Sequence, residues 1–248
     1  MTGHDTDQQR INGYWNKYAV AYDSHQLERQ QRSDVVEAWK HTWTTALPPA
    51  PANVLDVGTG SGNVALLVAG IGHRVTGIDL AEGMLAEARR KAAGTQGAPD
   101  FRLADAAAPP FPDASFDAIT ARYVLWTLRD PLEALGHWIR LLRPGGVLVA
   151  VDSPWYPDGI NAAPAATQRE RDFRTAYDGD VLARLPLAQA SDIQETARLL
   201  EKAGFLDVTV TELTEILKLD HRDGVAPGHR PQMQYRITAR TPAVDDRR

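Results

Sequence analysis

The run from Val54 to Gly62 (VLDVGTGSG) carries an acid, Asp56, two residues before the first of three closely spaced glycines. Glycines there let the backbone come close to a ligand at the carboxyl edge of a sheet. Asp79 follows about twenty residues later, at the end of the next apolar run, where a carboxylate can bind both hydroxyls of a ribose. Asp105 closes a third run. One glycine turn is a weak signal, but three acids in order at the ends of three consecutive expected strands are a strong one. Asp56 also separates two cofactor classes. A carboxylate in the turn repels the pyrophosphate of NAD or FAD and attracts the ammonium and sulfonium of S-adenosylmethionine. The spacing agrees: a dinucleotide turn needs a glycine three residues after Gly60, where Asn63 stands, and Gly62 comes one step early.

These acids need a scaffold that aligns strand ends. Short apolar runs at 53–57, 74–78, 101–104, 116–121 and 146–151 alternate with helical stretches at 64–69, 81–93 and 131–142, the last closed by Arg143-Pro-Gly-Gly. That alternation predicts βαβ units and a parallel sheet. Before it, 8–46 reads as a helical cap, with Trp15, Tyr18 and Tyr22 at three- and four-residue steps, and 47–52 as a linker. After Asp152 the alternation lapses over 153–190, the length of an inserted helix or lid. A helix at 191–203 with Ser191 as cap and Gly204 as stop then restores it, and 206–213 and 234–240 alternate like two last strands joined by the long loop HRDGVAPGHRP. Residues 1–7 and the end TPAVDDRR read as frayed tails, so the whole is one domain whose cofactor core spans 50–152 and whose final part of the sheet spans 191–240.

Composition narrows the chemistry. The 248 residues include no cysteine, which excludes disulfides, thiolate metal sites and cysteine nucleophiles. A net charge of −5 lacks the basic footprint of a nucleic-acid binder. No secretory signal, membrane-spanning run or metal-ligand spacing is present, so a cytoplasmic protein without membrane, nucleic-acid or metal partner is expected, as monomer or homodimer.

Taken in order, VLDVGTGSGNVA, VTGIDLAEGMLAEAR, LADAAAPPFPDASFDAI and LLRPGGVL resemble the core motifs of class I, Rossmann-like, S-adenosylmethionine-dependent methyltransferases, closely over 50–152 and more loosely beyond. YWNKYAVAYD, ARYVLWTLRDP and VDSPWY look like a bacterial subgroup acting on small molecules. The resemblance implies a seven-stranded sheet with its last strand antiparallel and helices on both faces. It implies that Gly58, Thr59 and Gly60 line the methionine moiety with Asp56 nearby, and that Asp79 holds the ribose between Leu80 and Met84, which flank the adenine. It further implies that Asp105 and Ala106 meet the adenine amine, and that Arg122 faces the methionine carboxylate or the acceptor. A Tyr22-Asp23 segment lies near the cleft in that family, so the stripe Tyr14, Trp15, Tyr18 and Tyr22 is either plain packing or a lid.

Ligands of open α/β sheets bind at the carboxyl ends of the strands. Trp126, Trp155 and Tyr156 follow two such ends, as an acceptor pocket or as packing. His221, Arg222, His229 and Arg230 lie in the loop after the sixth strand, able to meet an anion or simply mobile. Asp152, His221 and His229 are the candidates for a base. His25, His41, His73 and His137 have no motif around them and read as surface or packing residues.

The expectation is therefore methyl transfer to oxygen or nitrogen, less so carbon, of a small molecule. Three rivals remain: an NAD- or FAD-dependent oxidoreductase, a non-catalytic S-adenosylmethionine-binding protein, and an RNA or protein methyltransferase.

Overall fold

The computed structural model describes residues 3–160, 165–225 and 230–243. Seven strands form one sheet in the order β3-β2-β1-β4-β5-β7-β6. They are β1 (Asn53–Val57), β2 (Arg74–Asp79), β3 (Asp100–Leu103), β4 (Phe116–Arg122), β5 (Leu142–Asp152), β6 (Leu206–Glu212) and β7 (Tyr235–Arg240). The first five pair in parallel, and β7 runs antiparallel to both β5 and β6. The sheet thus has the expected topology.

Alternation along the strands builds two cores. Leu55 and Val57 pack on one face with α5 (Pro131–Leu141) and α8 (Gln194–Ala203), around the fully buried Leu135, Trp138 and Leu200. Val54, Val147 and Val149 face the other way, onto α2 (Ser33–Thr44), α3 (Asn63–Gly70), α4 (Glu82–Ala92) and α9 (Thr214–Asp223). α5 starts where the sequence demands it. Asp130 accepts a hydrogen bond from the Glu133 N–H at 2.9 Å and Pro131 opens the first turn.

Four boundaries differ from expectation. α1 (Gly3–Gln30) takes in most of the supposed frayed start, because Asp7 is buried between Arg10 and Arg184. β5 begins at Leu142, which pairs with Phe116, and Pro144, Gly145 and Gly146 lie in an irregular stretch of that strand rather than in a helix stop. α8 begins at Gln194, leaving Ser191 before the helix with its hydroxyl on Glu195. The largest difference is α9, which occupies residues left unassigned and the start of the expected long loop. Its buried Ile216, Leu219 and Asp220 stand at helical spacing.

The expected insertion contains α6 (Gln168–Ala176) and α7 (Gly179–Leu182). A reciprocal cap starts α6: Thr167 accepts from the Glu170 N–H, and the Glu170 carboxylate accepts from the Thr167 N–H. Among the described residues, no helix is long and apolar enough to cross a membrane.

Candidate active site

A cleft of about 490 Å³ opens over the carboxyl ends of β1, β2 and β4. Gly58, Gly60, Asp79, Leu80, Met84, Asp105, Ala106 and Arg122 all line it. Gly60 has φ +55, and a Cβ there would meet no protein atom within 4 Å, which leaves room beside its backbone for a ligand. Gly58 is constrained by packing instead, since a Cβ would lie 2.5 Å from Val124. Asp79 accepts from the N–H groups of Gly60 and Ala81, each at 2.8 Å. Burial pushes its carboxyl up, against those two donors. These two bonds leave other lone pairs of the carboxylate for ribose hydroxyls.

Asp56 does not line the cleft. It is 1% exposed beneath the turn, where it accepts the hydroxyls of Thr59 at 2.6 Å and Thr120 at 2.7 Å. Burial raises it to about 6, against those hydroxyls. Its geometry is that of a brace joining the glycine turn to β4, and Thr59 serves the same brace. Direct contact of either side chain with a ligand is not what this placement offers.

Arg122 is half-buried beside the glycine turn, with its guanidinium over the rings of Trp39 at 5.0 Å and Tyr123 at 5.2 Å. It forms no ion pair with a described residue, so a cation stands ready for an anionic group. Tyr123 has φ +63, a strained conformation for an aromatic residue. It donates its hydroxyl to Gln234, whose amide donates to the buried Asp220 at 2.8 Å, and Arg29 pairs with Asp220 at 2.6 Å.

The roof is helical. Gln8, Ile11, Asn12, Trp15, Tyr22, His25, Gln26 and Arg29 of α1 form one stripe along the cleft. Tyr22 belongs to it, whereas Tyr14 and Tyr18 face the insertion. Tyr14 packs on Phe173 and accepts from Arg169, and Tyr18 donates to Asp172 at 2.7 Å. Trp126, Trp155 and Tyr156 do face the cleft, with Phe173 and Tyr177 of the insertion. His221 and Arg222 do not, because the last turn of α9 turns Arg222 onto Asp34 and Asp223. Asp152 is buried behind Trp155, out of reach of a ligand in the cleft. His229 falls outside the described residues.

His25 and His137, read from the sequence as surface or packing residues, line the cleft, as do Arg29, Asp220 and Gln234, which the sequence did not single out. For His25 and Arg29 a signal existed, because they extend the three- and four-residue steps of Trp15 and Tyr22. Asp220 and Gln234 carried none.

Comparison with known proteins identifies the family. Residues 55–150 match the family described as a methyltransferase domain. The demethylmenaquinone methyltransferase of Clavibacter sepedonicus is 30% identical over 233 residues, covering 89% of this chain and 92% of that one. The ubiquinone/menaquinone biosynthesis C-methyltransferase of Roseobacter denitrificans is 32% identical over 198 residues, covering 77% and 74%. A shorter match, 44% identical over 116 residues, covers 46% of this chain and 53% of the Thermus thermophilus demethylmenaquinone methyltransferase. Among solved structures, an S-adenosylmethionine-dependent methyltransferase of Thermotoga maritima superposes with a TM-score of 0.60 at 18% identity, covering 92% and 99%.

Proposed function

The chain belongs to the class I S-adenosylmethionine-dependent methyltransferases, and on that premise we propose that it methylates a ring carbon of a hydroxylated aromatic acceptor of the quinol type. One observation carries the reading: a wall of Trp126, Trp155, Tyr156, Phe173 and Tyr177 shares one cleft with Gly60, Asp79 and Arg122. Flat aromatic side chains suit a flat ring, which they hold by offset or edge-on contact. The relatives act on demethylmenaquinone or carry C-methyltransferase in their names. That kinship favours carbon over the oxygen or nitrogen expected from sequence.

When bound, S-adenosylmethionine supplies an electrophilic methyl group on its sulfonium. The protein then has to orient the acceptor, exclude water and take up one proton. Asp79 and the Gly60 backbone fix the donor side, and Arg122 is placed to take the methionine carboxylate. The aromatic wall presents the ring. A hydroxyl that activates its neighbouring ring carbon loses its proton as that carbon takes the methyl group from sulfur. The ring C–H proton then returns to the oxygen as the ring rearomatises, so one proton leaves in net. His25 lines the cleft, and burial next to Arg29 lowers its pKa, so its imidazole is neutral near pH 7 and able to accept that proton.

The test supplies labelled S-adenosylmethionine with a short-tailed demethylmenaquinol, a catechol and an aromatic amine, and follows the label. Ring-carbon methylation of the quinol is expected, with turnover rising through a pKa below the ordinary histidine value of 6.5. Label on nitrogen or on a phenolic oxygen alone would exclude the carbon reading. Binding of the cofactor with no transfer to any acceptor would favour the non-catalytic rival.

A further inference from the structure

Asp152 ends β5 with its side chain sealed behind the aromatic wall, 2% exposed. Oδ1 accepts two hydrogen bonds, from the Ser153 N–H at 2.9 Å and the Trp155 indole N–H at 2.5 Å. Oδ2 is equally buried and has no hydrogen-bond partner. A small void beside the carboxyl is lined by both Trp126 and Ser153. The N–H groups of Leu125 and Trp126 favour the ionised carboxyl, but neither makes a hydrogen bond that satisfies Oδ2.

The placement is specific. Trp126 enters the cleft from the 3-10 turn Leu125–Thr127 after β4, and Trp155 and Tyr156 enter from the stretch after β5. Asp152 sits between these two segments. Trp155 in turn meets Tyr123 edge-on at 4.8 Å, and on the same wall Trp126 meets Tyr156 at 5.5 Å. Burying an acid with one oxygen unsatisfied costs free energy, and packing alone would be met by an apolar side chain.

We propose that Asp152 is a positioning residue that fixes the Trp155 indole, and with it the face of the aromatic wall that the acceptor ring meets. This rests on the reading that the wall receives an aromatic acceptor. Burial pushes the carboxyl up to about 7, against the Trp155 and Ser153 donors. Among the described residues lining the void, the other titratable one is Asp192, which is exposed and accepts from the Gln194 N–H. Leu187, Ala190, Ile193 and Thr196 bring no charge to it. The ionised form holds the indole by a charge-assisted bond, so the wall loosens as pH falls through about 7.

Protein labelled with 5-fluorotryptophan carries six fluorinated rings, and Trp155→Phe assigns one resonance. With S-adenosylhomocysteine bound, the Trp155 resonance should move with pH, with a midpoint near the value of about 7 set by burial. Asp152→Asn should abolish that movement while leaving S-adenosylhomocysteine affinity within about twofold, since Asp152 is outside the cleft. With a short-tailed demethylmenaquinol, Asp152→Asn and Trp155→Phe should each raise the acceptor KM about tenfold with little change in kcat, and the double variant should be no worse than either. A Trp155 resonance flat with pH, a movement that survives Asp152→Asn, or additive KM effects would overturn the proposal. Wild-type protein that turns over no quinol sinks the acceptor reading separately. The fluorine titration, with its loss or survival in Asp152→Asn, then decides the role of Asp152.

Discussion

At the scale of single residues, the carboxylates of two successive strands have opposite duties. Asp79 stands on the cleft with two backbone donors, and further donors from ribose hydroxyls would complete it. Asp79→Ala should weaken S-adenosylhomocysteine binding by about 2–3 kcal/mol, measured by calorimetry, because charge-assisted bonds are lost. Unchanged affinity would place the ribose elsewhere. Asp56 instead braces the turn from below, and its titration should appear in stability. Its folded pKa, about 6, lies above the ordinary 3.8, so the folded chain holds that proton more tightly than the unfolded chain. This contribution to stability is present below the ordinary value and is lost as pH rises through the folded one. Asparagine does not titrate. Asp56→Asn should therefore gain on the wild type by on the order of 3 kcal/mol across that interval. Urea unfolding at a series of pH values reads the difference, and a gap constant from about pH 4 to about pH 7 would count against the assignment.

At the scale of elements, α1 decides access. It lies across the start of α4, where Asn16 accepts from the Gly83 N–H at 2.7 Å, and it is bridged to the insertion by Arg10–Asp178, Lys17–Asp172 and Trp15–Tyr177. Arg10–Asp178 and Lys17–Asp172 are largely exposed and contribute little each, whereas the buried Asp7 and Asp23 of α1 pair with Arg184 of the insertion and with Lys91 of α4. Opening this roof would break those pairs but no strand of the sheet, so closure over a ligand is a movement of helices alone. Bound S-adenosylhomocysteine with a quinol analogue should slow amide exchange along 8–29, 168–177 and 230–234, whose residues line the cleft. Protection confined to 53–110 would remove the roof from the binding event. The helical stripe of α1 was legible from its three- and four-residue steps, but which of its faces met a ligand was not. Tyr14 and Tyr22 look alike in sequence, and only the docking of α6 against Tyr14 separates them.

At the scale of the whole molecule, ligand binding and folding are linked. A ligand held only by the folded state at 100 times its Kd adds about 2.7 kcal/mol to unfolding. For a domain of this size that raises Tm by about 5–10 °C. S-adenosylhomocysteine should produce such a rise in a thermal melt and NAD none. A rise with NAD instead would reopen the oxidoreductase reading.

The sequence by itself determined the strands of the sheet and the cofactor edge, and the family resemblance supplied the antiparallel last strand. The strands and the edge rest on local signals: period-two apolar runs, a glycine turn, and acids that must follow strand ends. Trp126 and Trp155 were legible for the same reason, since each follows a strand end that the sheet aligns, whereas Arg122, the last residue of β4, was named through the family resemblance. Tertiary structure alone decided what lies in front of the cleft wall and what lies behind it. Asp56 and Asp79 both lie toward the carboxyl ends of neighbouring strands, yet one is sealed by Thr59 and Thr120 and the other faces the cleft. Asp152 and Trp155 are three residues apart, but the chain turns the carboxyl inward and the indole outward. His221 was expected at the site and His25 was not, because the position of α9 depends on long-range packing of Ile216 and Leu219 against the sheet. Spacing along the chain sets which residues share an element; the direction a side chain faces depends on what packs against that element from distant sequence.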